Sequence, residues 1–124
     1  TAPRPGDGST VHRLMDRWYR QHAKVVLTDR VERFLKSTSW LRLRETPPLT
    51  VRAMRQRWGS ATPSGRLYFN VDLIKTPLGC IDYVIGHELV HLKIPHHGPA
   101  FWRMVGHCVP DWERWKHKLE RQEI

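Results

Sequence analysis

The chain has 124 residues, 40% hydrophobic and 27% charged, a composition that gives a single globular domain a core and argues against a disordered chain. No apolar run approaches the ~18 residues of a membrane-spanning helix, so no membrane partner is expected. The net charge of +9 lies wholly in residues 1–75, with 15 Lys/Arg against 6 Asp/Glu, while residues 76–124 carry 6 of each.

That imbalance points to nucleic acid or another polyanion as a partner for residues 1–75. Cys80 and Cys108 cannot build a disulfide framework, which suits a reduced, cytoplasmic setting. Residues 1–8, rich in Pro and Gly, read as a flexible tail before one domain over 9–124. The tail has no apolar signal-peptide core, and Thr1 in place of Met reads as the trimmed end of a longer protein.

Ser9 or Thr10 is a candidate helix cap. Val11, Leu14, Met15, Trp18, His22, Val25 and Val26, then Val31, Phe34 and Leu35, recur at helical spacing and predict helix over roughly 10–37, with two readings of Thr28-Asp29: the start of a new helix or part of a continuing one. Thr46-Pro47-Pro48 is a stop. Leu49, Val51 and Ala53 alternate as in a strand, Thr62-Pro63-Ser64-Gly65 is a turn, and Arg66–Asn70 reads as the returning strand. The expected product is a two- or three-stranded antiparallel sheet covered by helices.

Pro77 suits a helix start, and Ile81, Val84, Ile85, Leu89 and Leu92 give that helix an apolar face that Pro95 ends. Gly98-Pro99 restarts a helix carrying Phe101, Trp102 and Val105. Pro110-Asp111 opens a last one with Trp112, Trp115 and Leu119. The order defines an α+β domain.

Residues 87–91 read His-Glu-Leu-Val-His. His87 and His91 lie one turn apart on one helix face, the spacing at which two imidazoles reach one zinc ion. Glu88, rotated about 100° from His87, is poorly placed as a ligand and well placed to take a proton from a water at the metal. A catalytic zinc needs a third protein ligand. Breaking the helix at Pro95 turns the chain back, and the local reading favours His97 while keeping His96 open; His107 reads better as an ordinary core or surface residue. Cys80 lies roughly 10 Å along the helix from His87, too far to be a ligand, and reads as a small buried hydrophobe. Arg57 and Trp58 admit two readings, substrate contacts beside the metal or a packed Trp with a snorkelling Arg.

Arg57-Trp58-Gly59-Ser60, Gly65, Leu67, Asn70, Leu73-Ile74, Pro77, Asp82-Tyr83-Val84, His87 to Leu92, His97, Phe101-Trp102 and Pro110-Asp111 together resemble the YgjP-like zinc metallopeptidases, related to the WLM and SprT-like metalloproteases. The resemblance spans about residues 18–119. It implies a zincin-like minimal metalloprotease domain with a small antiparallel sheet, one Zn2+ on His87, His91 and His97, and Glu88 as general base. Ala61 stands where the family commonly has Cys, and Gly98 where it commonly has Ser. The family usually carries more sequence ahead of the first helix, which fits a trimmed chain.

The leading expectation is therefore a zinc metallopeptidase acting on a peptide or protein substrate, with Arg57 and Trp58 as candidate substrate-binding residues. The alternatives are a nucleotide pyrophosphatase on the same site, whose phosphates the positive charge would hold, or a DNA-associated SprT-like protease. A nucleic-acid-binding module with structural zinc is a third, disfavoured because no Cys pair lies near the histidines.

Overall fold

The computed structural model describes residues 8–38, 43 and 45–121. Residues 1–7 of the expected tail lie outside the described residues. Helix α1 runs unbroken from Gly8 to Ser37, so of the two readings of Thr28-Asp29 the continuing helix holds. Asp29 supports the helix, its carboxylate accepting from Arg33 Nε at 2.9 Å one turn on. Ser9 and Thr10 fall inside the first turn rather than before it. Ala23, Leu27, Val31 and Phe34 form the buried stripe of α1, at the three- and four-residue spacing that keeps side chains on one face.

Three short strands follow: β1 (Leu49–Arg52), β2 (Gly59–Ala61) and β3 (Leu67–Asn70). The sheet order is β1-β3-β2, with β3 antiparallel to β2 but parallel to β1. The wholly antiparallel sheet expected from sequence is thus a mixed one. The chain leaves β1 at Arg52, crosses the end of the sheet through residues 53–58, and reverses into β2 one slot away. The Thr62–Gly65 turn, with Gly65 at φ +95, then returns β3 into the vacant slot. Strand β2 escaped the sequence reading because Gly-Ser-Ala has neither strand propensity nor alternation.

Asn70 fixes that crossing. Only 1% exposed at the end of the central strand, it donates from Nδ2 to the carbonyls of Met54 (2.8 Å) and Arg57 (3.0 Å). Its Oδ1 accepts from the Asp72 N–H and caps a short 3₁₀ helix, Val71–Lys75.

Helix α2 (Leu78–His91) is the hub, packing against α1, β2, the 3₁₀ helix, α3 (Pro99–Cys108) and α4 (Trp112–Arg121). Cys80, Ile81, Val84, Ile85, Leu89 and Val90 on α2 are buried against Leu67, Phe69 and Leu73. Arg30 on α1 makes a bidentate pair with Asp82 on α2 at 2.7 and 2.9 Å. Gly79 admits the indole of Trp115, which packs where a Cβ would stand, and so lets α4 lie on α2. None of the described helices is long and apolar enough to cross a membrane.

Candidate metal centre

Helix α2 ends at His91, three residues before Ile94, whose position ahead of Pro95 disfavours helical backbone. The chain then folds back on itself until Gly98 caps α3 with Pro99 in its first turn. This reversal brings His97 over the last turn of α2. The candidate ligand atoms of His87, His91 and His97 all lie within 4.8 Å of one another. His96 and His107 are exposed and lie outside that group.

The rings rest on an aromatic bed. Buried Phe101 packs against all three, with centroid separations of 4.9, 4.4 and 4.9 Å, and Trp102 against His87 and His97 at 5.7 Å each. Trp102 in turn stacks on Trp112 of α4.

Hydrogen bonding fixes which nitrogens face the centre. His91 Nδ1 lies 3.2 Å from the Ile94 carbonyl, and a carbonyl only accepts, so Nδ1 carries the proton and Nε2 the lone pair. His91 Nε2 then accepts from His97 Nε2, 2.7 Å away. His87 Nδ1 is 3.3 Å from the Tyr83 hydroxyl, which leaves its Nε2 toward the centre. Burial, then the neighbouring His91, His97 and Lys116, pull the His87 pKa down to about 3, and burial likewise lowers that of His91. Both are neutral at pH 7, the form that binds metal. Three converging imidazoles are a donor set that fits a borderline-soft divalent ion, and an ion would replace the His91–His97 bond.

Glu88, next to His87 on α2, is 7% exposed and lines the same cleft as the three histidines. Burial raises its pKa from 4.5 to about 7, against the lowering effect of Arg57. Gly59 on β2 lies directly above it: a Cβ there would stand 3.1 Å from Glu88 Cγ and 3.0 Å from Val84 Cγ1. The glycine of the Arg57–Ser60 run thus lets the strand close over the carboxylate.

A cleft of about 940 Å³ joins these parts, bounded by Arg57, Trp58 and β2 on one side and by Lys116, Leu119 and Glu120 of α4 on the other. Arg57 is exposed on its rim, and Trp58 is half-buried, packing on the core while also lining the cleft. Cys80 is wholly buried and no part of the centre. Sequence reasoning gave no role to Tyr83 or Asn70. Tyr83 had a legible signal, since it sits four residues before His87 on the same helix face.

An α+β domain whose helix presents two histidines one turn apart, with a third folded back onto them and a buried glutamate beside them, has the architecture of a metallopeptidase. The sequence pattern of the YgjP-like metallopeptidase domain matches residues 3–122, and the chain belongs to that family. It is therefore a metallopeptidase, with a peptide or protein as substrate and a divalent metal at its centre. Membership decides against the pyrophosphatase and structural-zinc readings.

No curated protein matches the chain by sequence. Two solved structures share the fold. The metallopeptidase zymogen abylysin of Pyrococcus abyssi is 22% identical, with a TM-score of 0.62 over 79% of this chain and 99% of its own. The metallopeptidase zymogen jannalysin of Methanocaldococcus jannaschii is 23% identical, with a TM-score of 0.64 over 77% of this chain and 94% of its own.

Proposed function

We propose that this metallopeptidase holds one zinc ion on His87, His91 and His97 and uses Glu88 as the general base for peptide-bond hydrolysis. The observation that carries the reading is the convergence of three imidazoles to within 4.8 Å, with a buried carboxylate one residue from the first of them. Zinc, when bound, supplies a Lewis acid that polarises the scissile carbonyl and acidifies water. Glu88 takes the proton of the attacking water and returns it to the leaving amine. Its pKa near 7 suits both transfers at neutral pH. Gly59 and Val84 hold the carboxylate in place and keep bulk water off it.

The substrate lies extended along β2. Strand β3 is central and paired on both sides, whereas β2 has β3 on one side and the cleft on the other. Backbone pairing to this free edge would orient a peptide past Glu88 whatever its side chains. Trp58 and Arg57 flank its path, Arg57 offering a guanidinium to a carbonyl or carboxylate oxygen. A cytoplasmic setting belongs to the same reading, supported by the free thiols of Cys80 and Cys108.

The test is metal content and cleavage measured together. The wild-type protein should bind one zinc per chain, lose peptide cleavage on chelation and regain it with zinc. His97→Ala should abolish tight zinc binding while His96→Ala keeps it. The opposite pattern would assign the third ligand to His96.

A further inference from the structure

The six residues that cross the end of the sheet carry more charge than a connector needs. Arg52, Arg55 and Arg57 are all exposed there, within six positions. None of the ion pairs given for the described residues uses any of them: Asp82, Asp29, Asp72 and Glu120 pair with Arg30, Arg33, Lys75 and Lys116. Arg66, the fourth arginine of this region, is elsewhere. It precedes β3 at the opposite end of the sheet, and its guanidinium donates to Thr50 Oγ1 at 2.8 Å.

The three arginines line a shallow depression of about 640 Å³ together with Met54, Gln56 and Ser60. Gln56, Arg57 and Ser60 also line the cleft that holds Glu88 and the three histidines, so the two hollows are continuous. The depression is also built rather than loose. Asn70 pins the Met54 and Arg57 carbonyls from below, and the Arg52 guanidinium is held 4.6 Å over the Tyr68 ring on the outer face of the sheet. Restraining these groups before binding reduces the entropy lost on binding.

We infer that Arg52 and Arg55, with Arg57 at the join, form an acidic-residue subsite, so that the enzyme selects peptides carrying Asp or Glu a few residues to one side of the scissile bond. The inference rests on the peptidase reading and adds a substrate class to it. A peptide extended along the β2 edge reaches Gly59 at the catalytic end and continues over Gln56 and Arg57 into the depression. Guanidinium forks match carboxylates bidentately, and no ion pair among the described residues engages Arg52 or Arg55. Continuity with the cleft favours a peptide over a nucleic acid, as does the small number of cations, since nucleic-acid binding commonly engages six to ten phosphates.

The experiment separates binding from turnover. Two fluorescein-labelled peptide pools, identical except that one has Asp/Glu where the other has Asn/Gln, are titrated by anisotropy against zinc-loaded Glu88→Gln protein. The acidic pool should bind about fivefold tighter or more, each exposed ion pair contributing up to about fivefold. That preference should vanish when ionic strength rises from about 0.05 to 0.5 M. Adding Arg52→Gln/Arg55→Gln should bring the two pools within about twofold of each other. Arg17→Gln/Arg103→Gln, remote and of equal charge change, should keep the preference.

Equal binding of the two pools, or a preference that survives Arg52→Gln/Arg55→Gln, overturns the inference. So does a single-stranded oligonucleotide that binds tighter than the acidic pool and depends on the same arginines. Loss of cleavage of both pools by wild-type enzyme would instead count against the peptidase reading, while the binding comparison would still decide the subsite.

Discussion

Glu88→Gln should lower peptide hydrolysis by about 10²–10⁴-fold, the usual cost of removing a general base, while the protein still binds one zinc. Glutamine preserves the volume beneath Gly59 and leaves all three imidazoles untouched. The substitution also has a pH signature in the metal-free protein. The folded-state pKa is raised by burial to about 7, so the protonated acid is favoured in the fold. The native state then loses stability as pH climbs from the unfolded-state value through 7. Glu88→Gln should therefore be about as stable as the wild type near pH 4 and more stable at pH 8, by about 3 kcal/mol, and melt correspondingly higher there. Thermal melts across that range check the sign. Lost zinc in Glu88→Gln would make Glu88 a ligand or a support for one, and retained activity would end its assignment as base.

Gly79→Ala should be the most damaging small substitution in the chain. Alanine normally favours a helix interior by about 1 kcal/mol over glycine. Here its methyl would fall on the Trp115 indole ring and overlap it. The ring cannot yield without moving α4, because Leu119 beside it is buried and Arg114 packs its guanidinium 4.7 Å over the ring. Overpacking of this kind costs 1–3 kcal/mol or more, so a net loss of about 2 kcal/mol is expected. In a domain of this size that lowers Tm by roughly 10 °C. The effect should reach the site, since α4 brings Lys116, Leu119 and Glu120 to the cleft wall. Cleavage should fall with KM rising, while zinc stays bound, because the three histidines lie on α2 and the turn beyond it. A variant with wild-type Tm would show that α4 is not seated through Trp115.

The sequence revealed the parts governed by local rules. On α1 the spacing marks Val31 and Phe34, which are buried, but it also marks Leu14, Met15, Trp18 and Val25, which are exposed, while Ala23 and Leu27 complete the buried stripe; the prolines at 77, 95 and 99 bracket the two helices that hold the histidines. His87 and His91 are legible because their juxtaposition needs only a helix. The path of His97 is less so: Pro95 predicts a turn, but whether residue 96 or 97 faces inward depends on the seating of α3 through Phe101.

What could not be read depends on contacts distant in sequence. The parallel pairing of β1 with β3 is imposed by the loop that Asn70 anchors from 13 and 16 residues away. Strand β2 exists because Gly59 fits against α2, a matter of close approach and not of propensity. The basic excess of residues 1–75 is also divided by the fold, which sets Arg52, Arg55 and Arg57 around the depression beside the cleft and Arg66 at the far end of the sheet.

On the proposed mechanism, three histidines and no other side chain hold the metal that Glu88 serves. Anomalous diffraction at the zinc edge from crystals of the zinc-loaded protein tests it most directly. The account predicts one peak per chain at 2.0–2.1 Å from a ring nitrogen each of His87, His91 and His97, with the Glu88 carboxylate beyond ligand distance. A peak elsewhere, or a fourth protein side chain completing the tetrahedron, would contradict it.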